Sequence, residues 1–434
     1  MISVTSLRKT LRPLIPWWGL RLLQMLRNIP KRRRIVRDLQ FSAENRGPRL
    51  LVDVTRLSRI QKVTGIPRVI VELCAGLGRI CQNSEVSLVL FRATNNGKLI
   101  ETQLAVLGQQ ANQRRAIDNR EIRVAPGDIF LFPDVVGPPD GPTPKEVKKL
   151  QSLGAQVFFI CYDLLPMTYP HFFTKFARVI YRQWFEAVLE SDGALFISRA
   201  SESEFNRVSR EQRASAPKNI RSGVMFLGSS QPPAESVKKT SPRNLEGRER
   251  FAFLMVGTLQ PRKGYSAVLD AFDRLWMEGA SHTLTLVGAP GWKTQALVAR
   301  IQKHPEFGKK LQWWPDADDS SLWKLYASSD ALIANSVAEG FGLPLVEAAQ
   351  LSLPIIATRI HPFVEIAGDH AFYIEPEDPA GVERAVREWC NLATQGTYPV
   401  STGIRPRTWD EVALEALQIL LDQPAEAQVT DGVN

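Results

Sequence analysis

Two pairs of charged residues stand where this chain could hold an anionic, hydroxyl-rich ligand. Arg262 and Lys263 follow a short apolar run and directly precede an amphipathic stretch, so they lie at a helix start where fixed cations can meet a diphosphate. Glu339 and Glu347 are separated by seven residues, on either side of a glycine-containing turn. Carboxylates accept hydrogen bonds from the vicinal hydroxyls of a sugar or a ribose. The four residues therefore predict one ligand site.

The turn between the two glutamates is the sharpest feature of the sequence. Gly340 and Gly342 clear space for a ligand, and Pro344 suits the first turn of a helix whose free N–H groups and positive dipole end favour an anion. In the alternative interpretation Glu339 is a helix cap and Glu347 an ordinary surface acid. The two glycines disfavour that alternative.

Two further glycines each follow a predicted strand directly. Gly257 permits close approach of a ligand to the backbone ahead of Arg262 and Lys263. On this segment alone, a solvated helix N-terminus is an equal alternative to a diphosphate site. Gly288 stands four residues before Trp292, which indicates either room for a flat ligand or a plain turn.

These residues need a scaffold, and the apolar pattern predicts one. Short β-rich runs alternate with longer amphipathic stretches from Leu50 to Val208, and the same rhythm restarts at Phe251 and continues to Thr358. Such alternation predicts an α/β fold: two Rossmann-like, doubly wound domains facing across a cleft, with ligands outside the carboxyl ends of the strands. The predicted domain limits are 1–45 (basic amphipathic extension), 46–230, 231–250 (linker), 251–405 and 406–434 (C-terminal helix and tail).

Charge is concentrated at the N-terminus. The 434 residues contain 54 Lys plus Arg and 45 Asp plus Glu, and residues 1–40 hold ten of the basic residues against Asp38 alone. That segment therefore carries the whole formal excess of +9. Its Trp, Leu and Arg residues suit an interfacial helix on an anionic membrane, and a disordered extension is the alternative. Nucleic-acid binding by residues 31–34 is disfavoured.

Several classes of protein are excluded or disfavoured. No apolar run is long enough to span a membrane, and Pro13, Pro16 and Arg21 interrupt any signal-peptide core. The four cysteines and five histidines show no ligand spacing typical of zinc, so no metal is expected. The chain lacks the glycine fingerprints of dinucleotide-binding and P-loop proteins.

The segment from Val256 to Glu347 resembles the donor half of glycosyltransferase family 4, retaining enzymes of the GT-B fold. Glu339 and Glu347 match the family's E-x7-E motif, and the family order continues to about Pro379. In the first half, the runs LVDVTRL, TGIPRV, YDLLPMTYP, DGALFISRASESEF and FLGSS resemble bacterial O-antigen and capsule mannosyltransferases. The resemblance covers roughly residues 49–420.

The resemblance implies a role for each matching residue. Arg262 and Lys263 would neutralise the leaving diphosphate, Glu339 would hold the donor sugar, and Glu347 would hold the ribose hydroxyls. Asp163 would face the acceptor. Tyr162 would lie beside the acceptor as well. The resemblance also implies further donor-binding residues: Gly65, Gly257, Thr258, Gly288, Gly340, Phe341, Gly342 and Leu343. The leaving diphosphate would take the acceptor proton, so no protein nucleophile and no cofactor is expected.

Two positions depart from the family pattern. Thr258 replaces an arginine that many members carry, and Tyr162 replaces a histidine. A main-chain carbonyl contact from position 162 to the sugar would survive that change.

We therefore expect a peripheral-membrane hexosyltransferase on the cytoplasmic face of the plasma membrane. It would move mannose by preference, from GDP-mannose, to a glycan or lipid-linked acceptor in cell-surface polysaccharide synthesis, independently of metal. The alternatives are a non-catalytic nucleotide-sugar-binding or scaffold protein and a GT-B UDP-sugar epimerase; a phosphorylase would need a cofactor-bearing lysine that no motif marks. No nucleic-acid partner is expected.

Overall fold

A computed structural model describes residues 47–60, 65–94, 97–103, 120–138, 140–212, 220–233, 243–375 and 380–422. The predicted N-terminal extension, residues 234–242 of the predicted linker and the end of the C-terminal tail lie outside these ranges. Within them, no helix is both long and apolar enough to cross a membrane.

The first sheet has seven strands in the order β3-β2-β1-β4-β5-β6-β7. All neighbours are parallel except β3, which is antiparallel to β2. The strands are β1 (Arg49–Asp53), β2 (Ser87–Ala93), β3 (Leu99–Glu101), β4 (Ile129–Phe132), β5 (Gln156–Cys161), β6 (Gly193–Phe196) and β7 (Arg221–Val224).

The second sheet has six strands, all parallel, in the order β10-β9-β8-β11-β12-β13. They are β8 (Ala252–Val256), β9 (Thr283–Val287), β10 (Leu311–Trp314), β11 (Ala331–Ala334), β12 (Ile355–Thr358) and β13 (Phe372–Ile374). Central strands such as β4 and β12 are buried at every position, as both faces of a parallel sheet are covered. The predicted α/β fold with two doubly wound domains is confirmed.

Helices connect and cover the strands. In the first domain they are α1 (Ile66–Cys81), α2 (Pro144–Ser152), α3 (Leu165–Thr168), α4 (Lys175–Glu190) and α5 (Arg199–Gln212). In the second half of the chain they are α6 (Tyr265–Met277), α7 (Gln295–Gln302), α8 (Asp319–Ser328), α9 (Leu343–Gln350), α10 (His361–Ala367), α11 (Gly381–Thr394) and α12 (Trp409–Leu421).

The sequence pattern predicts the nine inner strands but not β3, β7, β10 or β13. These four strands form the edges of the two sheets, and each has only three or four residues. β7 (Arg-Ser-Gly-Val) and β10 (Leu-Gln-Trp-Trp) lack a continuous apolar run, as a partly exposed edge strand can. β3 and β13 have only three residues each. Helices α2, α3, α10 and α11 were likewise not predicted.

The last helix returns to the first domain. α12 packs along α1, and Trp409, Val412 and Ala416 are buried in the first domain's core. The two helices approach so closely at Gly76 that a Cβ there would lie 2.6 Å from the Trp409 carbonyl oxygen and 2.9 Å from Cβ of Ala413. The contact therefore requires glycine at position 76.

This packing predicts opposite effects for two glycines of the same helix. Gly76→Ala adds a methyl group where none fits, and we expect it to lower the free energy of unfolding by about 1–3 kcal/mol. The control, Gly78→Ala, has its nearest neighbour 4.0 Å away and should stabilise the helix by up to about 1 kcal/mol. Urea unfolding of both variants tests this, and equal stability of the two would contradict the packing argument.

Candidate active site

A cleft of about 530 Å³ lies between the carboxyl ends of the two sheets. All of the residues that the sequence singles out line this cleft: Gly65, Tyr162, Asp163, Gly257, Thr258, Arg262, Lys263, Gly288, Glu339, Gly340, Phe341, Gly342, Leu343 and Glu347. They come from both domains and from loops far apart in the chain. The fold therefore gathers the predicted positions in one place.

A three-residue ion cluster stands at the centre of the cleft. Lys263 Nζ lies 2.6 Å from Glu339 Oε1, and Arg262 Nη1 lies 2.7 Å from Glu339 Oε2. Ser336 Oγ donates to Glu339 Oε1 at 2.7 Å, and Arg262 also donates to the Ala338 carbonyl at 2.6 Å. The three charged side chains are only 11–17% exposed. One carboxylate thus faces two cations within this three-residue cluster.

Burial and charge act in opposite directions on this cluster. Burial disfavours the ionised form of Glu339, but Arg262 and Lys263 outweigh that effect and hold its pKa at about 2. Burial also lowers the pKa of Lys263, against the attraction of Glu339. The pKa of Arg262 is raised, since Glu339 and Asp163 more than offset its burial. Glu339 and Arg262 are therefore both ionised at neutral pH, and Glu339 opposes the loss of charge that burial favours at Lys263.

Glycines let the loops approach one another around this cluster. Gly257 has φ +139°, and a Cβ there would stand 3.2–3.3 Å from the side chain of Lys263. Gly264 has φ +68°, and a Cβ there would collide with the carbonyl of Asn335. A Cβ at Gly288 would collide with the carbonyl of Gly257. Side chains at these positions would push the cation-bearing loop out of place.

The turn before α9 joins the two domains. A Cβ at Gly340 would collide with the Tyr162 carbonyl, and the Gly340 carbonyl accepts a hydrogen bond from Ser198 Oγ at 2.7 Å. The Phe341 side chain is buried in the first domain's core. Gly342 has φ +147° and precedes α9, which has proline in its first turn. The N-terminus of α9 is thereby held against the cleft.

Glu347 is buried and is not an ordinary surface acid. Its Oε2 accepts a hydrogen bond from Tyr326 Oη at 2.7 Å, and its Oε1 lies 3.9 Å from Nη1 of Arg68. The side chain is 9% exposed. Burial raises the pKa of Glu347, although the Tyr326 hydroxyl and Arg68 oppose the shift.

The two acceptor-side candidates, Asp163 and Tyr162, differ in the environment of their side chains. Burial raises the pKa of Asp163 to about 6 against the opposing charge of Arg262, and Asp163 Oδ1 accepts a hydrogen bond from Leu165 N at 3.0 Å. The Tyr162 ring is only 4% exposed in the first domain's core, and its hydroxyl has no hydrogen-bond partner among the described residues. The Tyr162 ring therefore packs inward while its carbonyl faces Gly340, and the acceptor-side role of Tyr162 stays a prediction.

Sequence reasoning missed several residues of the site. Arg68 follows Gly65 by three positions, so helical spacing alone would have placed it on the same side of α1. Glu365 accepts hydrogen bonds from Arg199 N at 2.8 Å and Ala200 N at 3.1 Å, and so joins α10 to the N-terminus of α5. No local pattern marks Glu365 or Tyr326. Among the described residues, no group of three or more His, Cys, Asp or Glu could hold a metal ion.

The charge balance at Glu339 predicts how stability depends on pH. A carboxylate whose folded pKa is depressed stabilises the fold above its unfolded pKa of about 4.3, and this contribution is lost as the pH falls toward the folded pKa. We expect Glu339→Gln to lower the free energy of unfolding by about 3 kcal/mol at pH 7. By pH 3 the deficit should fall to about half.

Urea unfolding of the wild type and the Glu339→Gln variant at pH 7, 5 and 3 measures this deficit. Glu375→Gln is the matched control, because Glu375 forms an exposed ion pair with Arg359 and should matter little at any pH. A Glu339→Gln deficit that does not change between pH 7 and pH 3 would refute the electrostatic explanation.

Comparison with known proteins was made by family model and by sequence. A model described as "Glycosyl transferases group 1" matches residues 236–396. The serotype-specific mannosyltransferase WbdA of Escherichia coli is 30% identical over 377 residues, which cover 84% of this chain and 45% of that protein. The O-antigen chain mannosyltransferase B of Escherichia coli is 29% identical over 150 residues, which cover 32% of this chain and 39% of that protein. The chain thus spans less than half the length of WbdA.

Solved structures share the fold at low sequence identity. Anabaena Alr3699/HepE, solved in complex with UDP and glucose, is 16% identical to this chain with a TM-score of 0.52. The matched region covers 86% of this chain and 97% of the Alr3699/HepE chain. Sucrose-phosphate synthase from Thermosynechococcus elongatus is 14% identical with a TM-score of 0.58. The match covers 86% of this chain and 98% of the synthase chain. The chain therefore contains a group 1 glycosyltransferase domain and has the GT-B fold.

Proposed function

We propose that the protein is a retaining hexosyltransferase that moves a sugar from a nucleoside-diphosphate donor to a glycan or lipid-linked acceptor. The observation that carries this proposal is the cluster of Arg262, Lys263 and Glu339 in the cleft, next to the N-terminus of α9. A diphosphate that leaves the sugar develops negative charge, and fixed cations in a partly dry site stabilise that charge strongly. The protein itself carries the positive charge, so we propose that the reaction needs neither metal nor cofactor.

Each residue then has a role in the transfer. Arg262 and Lys263 bind the diphosphate, and Glu339 keeps both cations in place while its carboxylate borders the donor sugar. Glu347 accepts hydrogen bonds from ribose. The acceptor enters on the side of Asp163, and the leaving diphosphate takes the proton of the acceptor hydroxyl. The new bond forms on the face from which the diphosphate departs, so the anomeric configuration is retained.

Similarity to named relatives supports the choice of sugar. WbdA and the O-antigen chain mannosyltransferase B are both mannosyltransferases by name, and the second name refers to O-antigen. We therefore propose mannose as the transferred sugar, GDP-mannose as the donor, and cell-surface polysaccharide as the product. A structural neighbour was solved with UDP-glucose, so a UDP-sugar belongs in the same test.

A donor panel tests the proposal. We expect one of GDP-mannose, UDP-glucose, ADP-glucose and dTDP-glucose, by preference GDP-mannose, to raise the unfolding temperature of the full chain and to support transfer to a mannose-containing acceptor. Lys263→Ala should reduce transfer by at least about 100-fold, as loss of one group that stabilises transition-state charge does. Lys309→Ala, which removes an exposed lysine of the same domain, should leave transfer unchanged.

Two results would count against this function. Binding of a donor without transfer to any acceptor would indicate a sugar-nucleotide-binding or scaffold protein, and conversion of a UDP-sugar without acceptor would indicate an epimerase. Near-normal transfer by Lys263→Ala would refute the assignment of the site.

We further propose that residues 1–40 hold the enzyme at an anionic membrane, on the cytoplasmic face of the plasma membrane. Their ten basic residues and interspersed tryptophans and leucines provide both electrostatic attraction and apolar contact. A lipid-linked acceptor would then lie within reach of the cleft.

Deletion of residues 1–40 tests the membrane proposal. The shortened chain should lose sedimentation with vesicles that contain anionic lipid, yet keep transfer to a soluble acceptor analogue, because none of the described cleft residues lies in this segment. Raising the salt concentration should weaken vesicle binding of the full chain. Equal sedimentation of both chains would remove the membrane role of this segment.

A further inference from the structure

One arginine of the first domain reaches the carboxylate that the second domain presents to the donor. Arg68, in the first turn of α1, has Nη1 3.9 Å from Glu347 Oε1 and 3.7 Å from Asp319 Oδ1. Its Nη2 donates to Ser230 Oγ at 2.9 Å. The side chain is 26% exposed and lines the cleft. Arg68 and Glu347 thus face each other across the interface between the domains.

The spacing between these two groups is suited to a third atom. A separation of 3.9 Å is too long for a direct hydrogen bond. Glu347 Oε2 is occupied by the Tyr326 hydroxyl, whereas Oε1 is the oxygen that faces the guanidinium. An oxygen atom between them could lie about 2.8 Å from both. A hydroxyl group fits that position, because it accepts from the guanidinium and donates to the carboxylate at once.

Different groups hold the backbone and the guanidinium of Arg68. The carbonyl of Gly65, which has φ +63°, accepts hydrogen bonds from the backbone N–H groups of Arg68 at 3.0 Å and Val69 at 3.3 Å. Ser230, the partner of Nη2, accepts at its carbonyl a hydrogen bond from Gln350 Nε2 at 3.0 Å. The end of α9 is therefore tied to the same serine that binds Arg68.

We propose that Arg68 is a donor-binding residue and that it holds one ribose hydroxyl of a nucleoside diphosphate jointly with Glu347. This inference rests on the proposed function, since it takes the ligand to be a nucleotide sugar. It adds a side-chain contact from the first domain, next to the donor-binding position expected at Gly65. Full affinity for the donor then requires both domains to face each other as they do here.

Removal of single hydroxyls from the ligand tests the contact directly. We would measure by calorimetry the binding of GDP and UDP, and of their 2′-deoxy and 3′-deoxy forms, to the full-length wild type and three variants. For whichever nucleotide binds, one of its two deoxy forms should bind the wild type about tenfold more weakly than the intact nucleotide does. Loss of a charge-assisted hydrogen bond predicts a difference of this size. Arg68→Gln should bind the intact nucleotide about tenfold more weakly and no longer distinguish it from that deoxy form.

Two more variants serve as controls. Arg79→Gln alters an exposed arginine of the same helix, paired with Asp410, and should behave as the wild type. Arg68→Lys should recover part of the discrimination, because an ammonium group can donate to the hydroxyl but not also to Ser230 in the fixed geometry of a guanidinium. Thermal unfolding would verify that each variant is folded.

The outcomes separate this inference from the function on which it rests. A folded Arg68→Gln variant that discriminates between hydroxyl and deoxy forms as the wild type does would overturn the inference alone. A wild type that binds the nucleotide but ignores the loss of either hydroxyl would also overturn it. A wild type that binds none of GDP, UDP, ADP and dTDP would overturn the proposed function, and the inference with it.

Discussion

The attraction of one buried carboxylate for two cations organises this molecule's cleft. Glu339 engages Lys263 with one oxygen and Arg262 with the other, at 2.6 and 2.7 Å. Two cations this close would repel each other without the carboxylate, and a buried charge without a partner is costly. With it, both cations are fixed in position where an anionic ligand can reach them. A ligand phosphate could form further ion pairs with Arg262 and Lys263, which Glu339 holds in place.

That cluster depends on close approach of backbone to backbone. Gly257, Gly264 and Gly288 allow the loops after β8, β9 and β11 to touch, and at each of them a side chain would strike a neighbouring backbone or the Lys263 side chain. Gly340 allows an equally close contact between the two domains, because the Tyr162 carbonyl of the first domain leaves no room for a Cβ at this position. The second domain's ligand loop is thus shaped partly by the first domain.

The two domains are joined at several places besides the linker. Phe341 inserts into the first domain's core, Glu365 binds the N-terminal N–H groups of α5, and α12 returns to pack on α1. Arg68 faces Glu347 of α9, and the Ser230 carbonyl accepts a hydrogen bond from Gln350 at the end of that helix. Contacts that are spread along the interface hold the facing orientation in which both domains line one cavity.

Local sequence patterns were enough to predict the alternation of strands and helices, the inner strands and the positions that line the cleft. These features depend on local patterns: apolar runs mark buried strands, and glycines and charges at strand ends mark loops that a parallel sheet brings to one edge. The edge strands escaped prediction, because β7 and β10 lack a continuous apolar run and β3 and β13 have only three residues each. Which groups pair became visible only once the domains were folded together. Glu339 pairs with cations 76 and 77 residues earlier, Glu347 pairs with Tyr326 and faces Arg68, and the Tyr162 ring packs in the first domain's core. Those pairings depend on how whole domains pack, which no local spacing records.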